Sequence, residues 1–177
     1  WLGRDYTPLP ALMADYRTAT GERRWVALED GSKVQLNSAS AVDITSSAEQ
    51  RLVNLRQGEI LINTGVDRRP LWVHTRDGYL RALGTRLLVR EEPQGTLLAV
   101  QQGAVAVFAD RHDGTARQVI KPGVQVVFNR SGIRPSPNNG LDPWAWSDGV
   151  ISAHNMRLED FLAELGRYRN GLLRCSE

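Results

Sequence analysis

Three histidines, one cysteine and a scatter of carboxylates are the side chains of this 177-residue chain able to bind metal, move protons or attack a bond. His74, His112 and His154 lie far apart with no i, i+4 pair, so they form no metal-ligand set and read as strand or surface histidines. Asp30, Asp77 and Asp113 each precede a glycine. There a carboxylate accepts hydrogen bonds from local backbone amides in a turn, which leaves no acid-base pair. Cys175 stands alone, which excludes an intrachain disulfide and a cysteine metal cluster. Trp144 and Trp146 are one residue apart, a spacing that on a strand shares one face. Such a pair could stack on a sugar or a haem ring, but plugging a domain junction is the preferred reading. No cofactor, no metal and no activity toward small molecules is expected.

The elements that carry these residues are read from hydrophobic period. Val26 and Leu28 lead into Asp30-Gly31, after which Val34 and Leu36 resume; Val53 and Leu55 lead into Gly58, then Ile60 and Ile62. Val73 and Thr75 precede Asp77-Gly78, and Leu98 and Val100 are followed by Gly103, Val105 and Val107. Side chains two apart lie on one face of a strand, and the glycines supply turns and bulges. Glycines 31, 58, 78, 103 and 123 recur at separations of 27, 20, 25 and 20. This predicts a mainly β fold, a β-solenoid or roll of short strand-turn-strand units, with a sandwich as the alternative.

Residues 1–19 show no sustained period and read as a lead-in segment with one helical turn near Leu12; the β pattern then holds over residues 20–134. Pro135-Ser136-Pro137-Asn138-Asn139-Gly140 interrupts it, and residues 135–143 are assigned as a linker. Residues 144–177 read as a partial β-α-β unit. Val150 to Ala153 is its first strand, Asn155 the N-cap, and Leu158, Phe161, Leu162 and Leu165 the apolar stripe of the helix. Glu159 and Asp160 begin that helix, Arg167 and Arg169 end it, Gly171 caps it, and Leu172-Leu173-Arg174-Cys175 starts a second strand with an open edge.

Charge narrows the function. With 22 Lys+Arg against 20 Asp+Glu, the basic side chains are scattered along the chain, which argues against nucleic acid as a partner. The longest apolar run, Ala104 to Ala109, falls far short of the ~20 residues that cross a bilayer.

Ordered motifs then point to a family. Thr20-Gly21-Glu22-Arg23, the run Leu28 to Ser40, Leu55-Arg56-Gln57-Gly58-Glu59, Leu83-Gly84-Thr85, Gln102-Gly103-Ala104-Val105 and Pro122-Gly123-Val124-Gln125-Val126 together resemble the FecR family. The tail Phe161 to Tyr168 is similar to the helix that follows in full-length members. Two positions depart from the family pattern, Leu71-Trp72-Val73 and Leu87, where phenylalanine is usual; both are apolar exchanges that repacking absorbs.

The resemblance implies the periplasmic portion of a single-pass inner-membrane regulator of an extracytoplasmic-function sigma factor. Its partner would be the N-terminal signalling domain of a TonB-dependent outer-membrane receptor for a ferric siderophore or haem. Because the chain opens on Trp1, a membrane helix and a cytoplasmic anti-sigma segment, the part that meets the sigma factor, are expected ahead of it; the second half of the β-α-β unit is expected past Glu177. Leu158, Phe161, Leu165, Leu172, Leu173 and Arg174 are the expected partner-binding residues. In some members the dipeptide matching Gly84-Thr85 cleaves itself, the threonine hydroxyl attacking the preceding carbonyl to give an ester that hydrolyses. The ordinary alternative, preferred here, is a glycine at a strand bend followed by a β-favouring threonine. From a different class comes a second function, a module binding peptidoglycan or another envelope glycan.

Overall fold

The computed structural model describes residues 12–111 and 114–171. In chain order its strands are β1 (Tyr16–Arg17), β2 (Arg24–Ala27), β3 (Lys33–Leu36), β4 (Ala41–Ser46), β5 (Arg51–Gln57) and β6 (Glu59–Asn63). They continue as β7 (Leu71–Thr75), β8 (Gly78–Glu92), β9 (Gly95–Phe108), β10 (Gln118–Ile120), β11 (Gln125–Asn129) and β12 (Gly132–Pro135). A 3-10 turn at Ala145–Asp148 and helix α1 (Leu158–Gly166) follow.

All twelve strands join one sheet, and the long hairpin β8–β9 is its spine. The first half of β8 pairs β7 and its second half pairs β6. Likewise β9 offers its first half to β11 and its second half to β10. The sheet therefore divides into two wings. One is β1-β4-β5-β7 with the early part of β8, the late part of β9 and β10; the other is β2-β3-β6 with the late part of β8, the early part of β9, β11 and β12. Val53, Leu55, Val73 and Leu80 of the first wing pack in one buried cluster with Val34, Leu36, Ile60, Ile62 and Val89 of the second. The strand faces meet because each wing has one apolar face to remove from water.

The mainly β expectation holds. The solenoid or roll does not: successive coils of a solenoid pair in parallel, whereas here only β5–β7 is parallel among the described strand pairs. Tight turns at Arg76-Asp77 and Pro93-Gln94 send β8 back along β7 and β9 back along β8. The lead-in also contains structure, since Tyr16 and Arg17 pair with Val42 and Ala41.

After β12, Val150 to Ala153 forms no strand; Ala153 makes a single antiparallel bridge to Leu141. Gly149 before it and Asn155 after it both take positive φ, 85° and 54°, so the backbone turns on either side of the short apolar run. The helix starts later than expected: its N-cap is Arg157, with no side-chain cap, rather than Asn155. It also ends sooner, at Gly166, with Arg167 as C-cap, so Gly171 lies beyond it. Among the described residues no helix is long and apolar enough to cross a membrane.

Candidate functional site

Two places gather residues that the sequence singled out. The first is the crease where β8 and β9 pass from one wing to the other. Core-facing positions on β8 run Leu80 and Ala82 before the crease but Leu87 and Val89 after it; on β9 they run Leu98 and Val100, then Val105 and Val107. Each strand thus slips by one residue in phase, which keeps the apolar face pointing at the core on both sides. In register terms, Gly84 and Thr85 together stand opposite Gly103, between the pairs Leu83↔Ala104 and Arg86↔Gln102. Two residues facing one, the first a glycine at φ 62°, is the geometry of a glycine bulge. Gly103 is constrained further: at φ 73° a Cβ there would lie 2.5 Å from the Gly84 carbonyl oxygen.

Thr85 is buried in this bulge at 2% exposure, and its Oγ1 has no hydrogen-bond partner. Its backbone is held by Thr64, just past β6. The Thr85 amide donates to Thr64 Oγ1 at 2.6 Å, and the Thr64 amide donates to the Thr85 carbonyl at 3.0 Å. The Thr64 hydroxyl lies 3.2 Å from that same carbonyl. The bend reading of Gly84-Thr85 therefore describes the backbone, and the orphaned hydroxyl is what it leaves unexplained.

The second place is a polar seat for the end of α1. The turn between β3 and β4 presents Asn37, Ser38 and Ser40, bent by Ala39 at φ 51°. It is knit to Gly58-Glu59: Ser40 Oγ donates to the Glu59 carbonyl at 3.0 Å and accepts from the Glu59 amide at 2.9 Å. No side chain fits at Gly58, where a Cβ would fall 2.3 Å from Ser40 Oγ. Into this seat comes Arg167. Its Nη2 donates to Glu59 Oε2 at 2.7 Å, its Nη1 to Glu164 Oε1 at 2.6 Å, and its carbonyl accepts from Ser38 Oγ at 2.5 Å. Asn37 Nδ2 bridges Glu59 Oε2 and Tyr168 Oη, at 2.9 and 2.7 Å. Arg90 on β8 adds a salt bridge to Glu164 at 3.0 Å. These bonds fix Arg167, the C-cap at which the helix ends.

The electrostatics follow the geometry. Burial works against the Arg167 charge, but Glu59 and Glu164 outweigh it and hold the guanidinium above its ordinary value. Burial also raises the Tyr168 phenol, opposed in part by the bond from Asn37. Beside the seat a cavity of about 400 Å³ is floored by Leu97 and Val127 and walled by Trp146, Tyr168, Glu92 and Arg134. Burial raises the Glu92 carboxyl there. Polar bonds on one side of this cavity thus fix the end of α1.

Other expectations resolve individually. Trp146 plugs the outer face of the second wing against Leu61, Leu88, Leu97, Ala99 and Val127, with Trp144 beside it, though from a 3-10 turn and not a strand. Arg23 and Gln35 bond the carbonyls of that turn, Arg23 at 2.9 Å to Trp146 and Gln35 at 3.1 Å to Ser147. His74 contacts Asn54 and stacks on Tyr79, and burial lowers its pKa. Asp30 accepts from the Ser32 amide as expected and also pairs with buried Arg51. Asp77 instead accepts from the Thr96 hydroxyl, at 2.7 Å. Among the described residues no cluster of three metal-ligating side chains occurs. Of the partner-binding set, Leu158 is 62% exposed while Phe161 and Leu165 are half-buried. Leu172, Leu173 and Arg174, like Asp113 and His112, lie outside the described residues.

The sequence motifs missed Thr64 and Arg90, which belong to no turn signature; their partners are distant in the chain. Comparison with known proteins supplies the remaining context. A family model described as FecR protein matches residues 14–106. Two crystal structures of a candidate anti-sigma factor from Parabacteroides distasonis ATCC 8503 share the fold with TM-scores of 0.69 and 0.68. Each is 23% identical and covers 86% of this chain and 73% of its own. No curated protein matches the chain.

Proposed function

The chain belongs to the FecR family, and on that premise we propose that it is the periplasmic signal-sensing part of an anti-sigma regulator. In this reading it binds the N-terminal signalling domain of a TonB-dependent outer-membrane receptor through the C-terminal segment and passes the bound state through the β domain toward the membrane. An extracytoplasmic-function sigma factor is contacted by a separate cytoplasmic segment of the same protein.

One observation carries the proposal. The turns that bear the family's motifs, Gly21, Asn37 to Ser40 and Gly58-Glu59, converge on Arg167 and Tyr168, just past the end of α1. A Cβ at Gly21 would sit 2.8 Å from the Tyr168 carbonyl, so the approach is close on that side too. These residues hold the helix onto the sheet rather than form a catalytic pocket, while Leu158 at its other end stays open to a partner. A relay needs both properties: a free face to be engaged, and a defined contact through which engagement is felt.

Calorimetric titration of the purified protein with receptor signalling domains, and in parallel with peptidoglycan glycan strands, tests this. Saturable binding to a signalling domain that Leu158→Glu weakens is the expected result; binding to glycan alone overturns it.

A second, compatible reading is self-processing at Gly84-Thr85, favoured by the unpartnered hydroxyl of Thr85 in the bulge. Intact mass of the purified chain over time tests it, a single unchanging species being the contrary result.

A further inference from the structure

We propose that Thr64 is the proton relay for an acyl shift at the Gly84–Thr85 peptide bond, an inference that rests on the self-processing reading above. Three features of the crease lead to it. The would-be nucleophile, Thr85 Oγ1, is buried and makes no hydrogen bond, so no competing acceptor or donor must be given up before it turns toward the Gly84 carbonyl. That carbonyl belongs to a residue at φ 62°, in a bulge where Gly103 packs tightly enough that a Cβ would come within 2.5 Å of the oxygen. Finally, the nitrogen that must leave is hydrogen-bonded at 2.6 Å to a single side-chain hydroxyl, Thr64 Oγ1.

The proton is the difficulty that Thr64 solves. In the shift, a bond forms between Thr85 Oγ1 and the Gly84 carbonyl carbon, and the bond from that carbon to the Thr85 nitrogen breaks. The amide becomes an ester, and the hydroxyl proton of Thr85 must end on the nitrogen. Direct transfer would pass from oxygen to nitrogen across one shared carbon, a cramped four-centre path. A hydroxyl already in contact with the nitrogen opens a wider one: once the free Thr85 hydroxyl has rotated to within reach of it, Thr64 Oγ1 takes the proton of Thr85 Oγ1 and gives its own to the nitrogen, ending unchanged. Water then hydrolyses the ester, releasing a carboxylate at Gly84 and a free hydroxyl and amine at Thr85. No oxidant, metal or external base enters the balance.

The same contacts place Thr64 for this task. Its amide and hydroxyl both sit on the Thr85 carbonyl, at 3.0 and 3.2 Å, so the residue grips Thr85 on both sides of its Cα. As the nitrogen becomes pyramidal its N–H swings away from Thr64 Oγ1, and the Thr64 hydroxyl turns its proton from that carbonyl to the nitrogen's new lone pair.

Intact mass spectrometry of the full chain, followed over time with and without neutral hydroxylamine, tests the assignment. Hydroxylamine cuts esters and spares amides, so it reports the shift itself. Thr64→Val keeps the shape and removes the hydroxyl; Thr64→Ser restores it. Splitting at Gly84-Thr85 in the wild type and Thr64→Ser, slowed about 100-fold in Thr64→Val and not rescued by hydroxylamine, is the expected pattern. Wild-type rates in Thr64→Val, equal slowing in both variants, or ester trapped in Thr64→Val would overturn the role of Thr64 while leaving self-processing intact. A wild-type chain that stays whole even with hydroxylamine overturns the self-processing reading, and this inference with it.

Discussion

Replacing Arg167 with methionine isolates the charge that seats the C-terminal helix, because methionine keeps the apolar stem and removes only the guanidinium. Glu59, whose side chain is 2% exposed, then loses its cation at 2.7 Å and keeps Asn37 Nδ2 as donor at 2.9 Å. Glu164 loses its partner at 2.6 Å but retains Arg90 at 3.0 Å. Removing one member of a buried ion pair costs about 3–5 kcal/mol, mostly through the charge left behind. The Arg167 side chain is 21% exposed, so water can partly replace it, and the lower end, about 3 kcal/mol, is expected. For a domain of this size that lowers the melting midpoint by roughly 6–12 °C. If the helix lets go first and water reaches Glu59, the midpoint falls less and trypsin cuts faster at Arg169. Thermal unfolding and limited trypsin digestion together cover both routes. Adding Glu59→Gln to the Arg167→Met protein removes the stranded charge and should recover more than half of the loss. A midpoint within about 1 °C of the wild type with unchanged proteolysis, or no recovery in the double variant, would refute the claim that this pair holds the seat.

Gly103→Ala and Gly123→Ala form a contrast, since both residues have positive φ but only Gly103 has a carbonyl oxygen within 2.5 Å of the added Cβ. Urea unfolding should show a loss of about 1–2 kcal/mol for Gly123→Ala, from the left-handed backbone alone, and a clearly larger loss for Gly103→Ala. Trp146→Ala, which empties the site among Leu61, Leu88, Leu97, Ala99 and Val127, should cost about 3–5 kcal/mol in the same assay. Burial lowers the folded pKa of His74 below 6.5, so the unfolded chain takes up that proton first as pH falls. Its contribution is therefore present above about pH 6.5 and is lost as pH drops through the lowered value. Burial raises Glu91 and Glu92 instead, and their contribution is lost as pH rises through their folded values. Comparing His74→Gln with the wild type between pH 7.5 and 5.5 isolates the histidine: the variant should show the shallower fall in stability.

How much of this molecule can be read from its sequence depends on the range of the interaction. Alternation is a property of neighbours, and it located the strands and their buried faces: Val34 and Leu36, Val53 and Leu55, Ile60 and Ile62 are all core residues. The crease was also written locally, in the change from Leu98 and Val100 to Val105 and Val107, which a flat strand would forbid. Its meaning needed the partner strand, because a phase slip becomes a bulge only when two residues are seen to face one. Strand direction was not legible: a glycine turn is compatible with a coil or a hairpin, and pairing over distance decides between them. For the same reason Val150 to Ala153 looked like a strand and is none, since β structure needs a run of partners and only the short stretch Gly140 to Asp142 bonds beside it.

The seat is the extreme case, and it explains why motif order was more informative than any one motif. Glu59 and Arg167 are separated by 108 positions, and nothing around Glu59 shows that a carboxylate after a glycine would be buried. A buried carboxylate without its cation is strongly unfavourable, so Glu59 makes physical sense only in a chain that also carries a tail able to deliver Arg167. Asn37, Ser38 and Gly21 are bound by the same condition, each placed to bond or admit that tail, while Gly58 admits the Ser40 that holds Glu59. The motifs of the β domain are thus half of a contact whose other half is the helix. A perturbation that lifts the helix leaves Glu59 without its cation at the start of β6, directly beside β8. Because β8 comes from the first wing through Gly84 and Thr85 into the second, the strand beside the seat is also the one that contains the bulge.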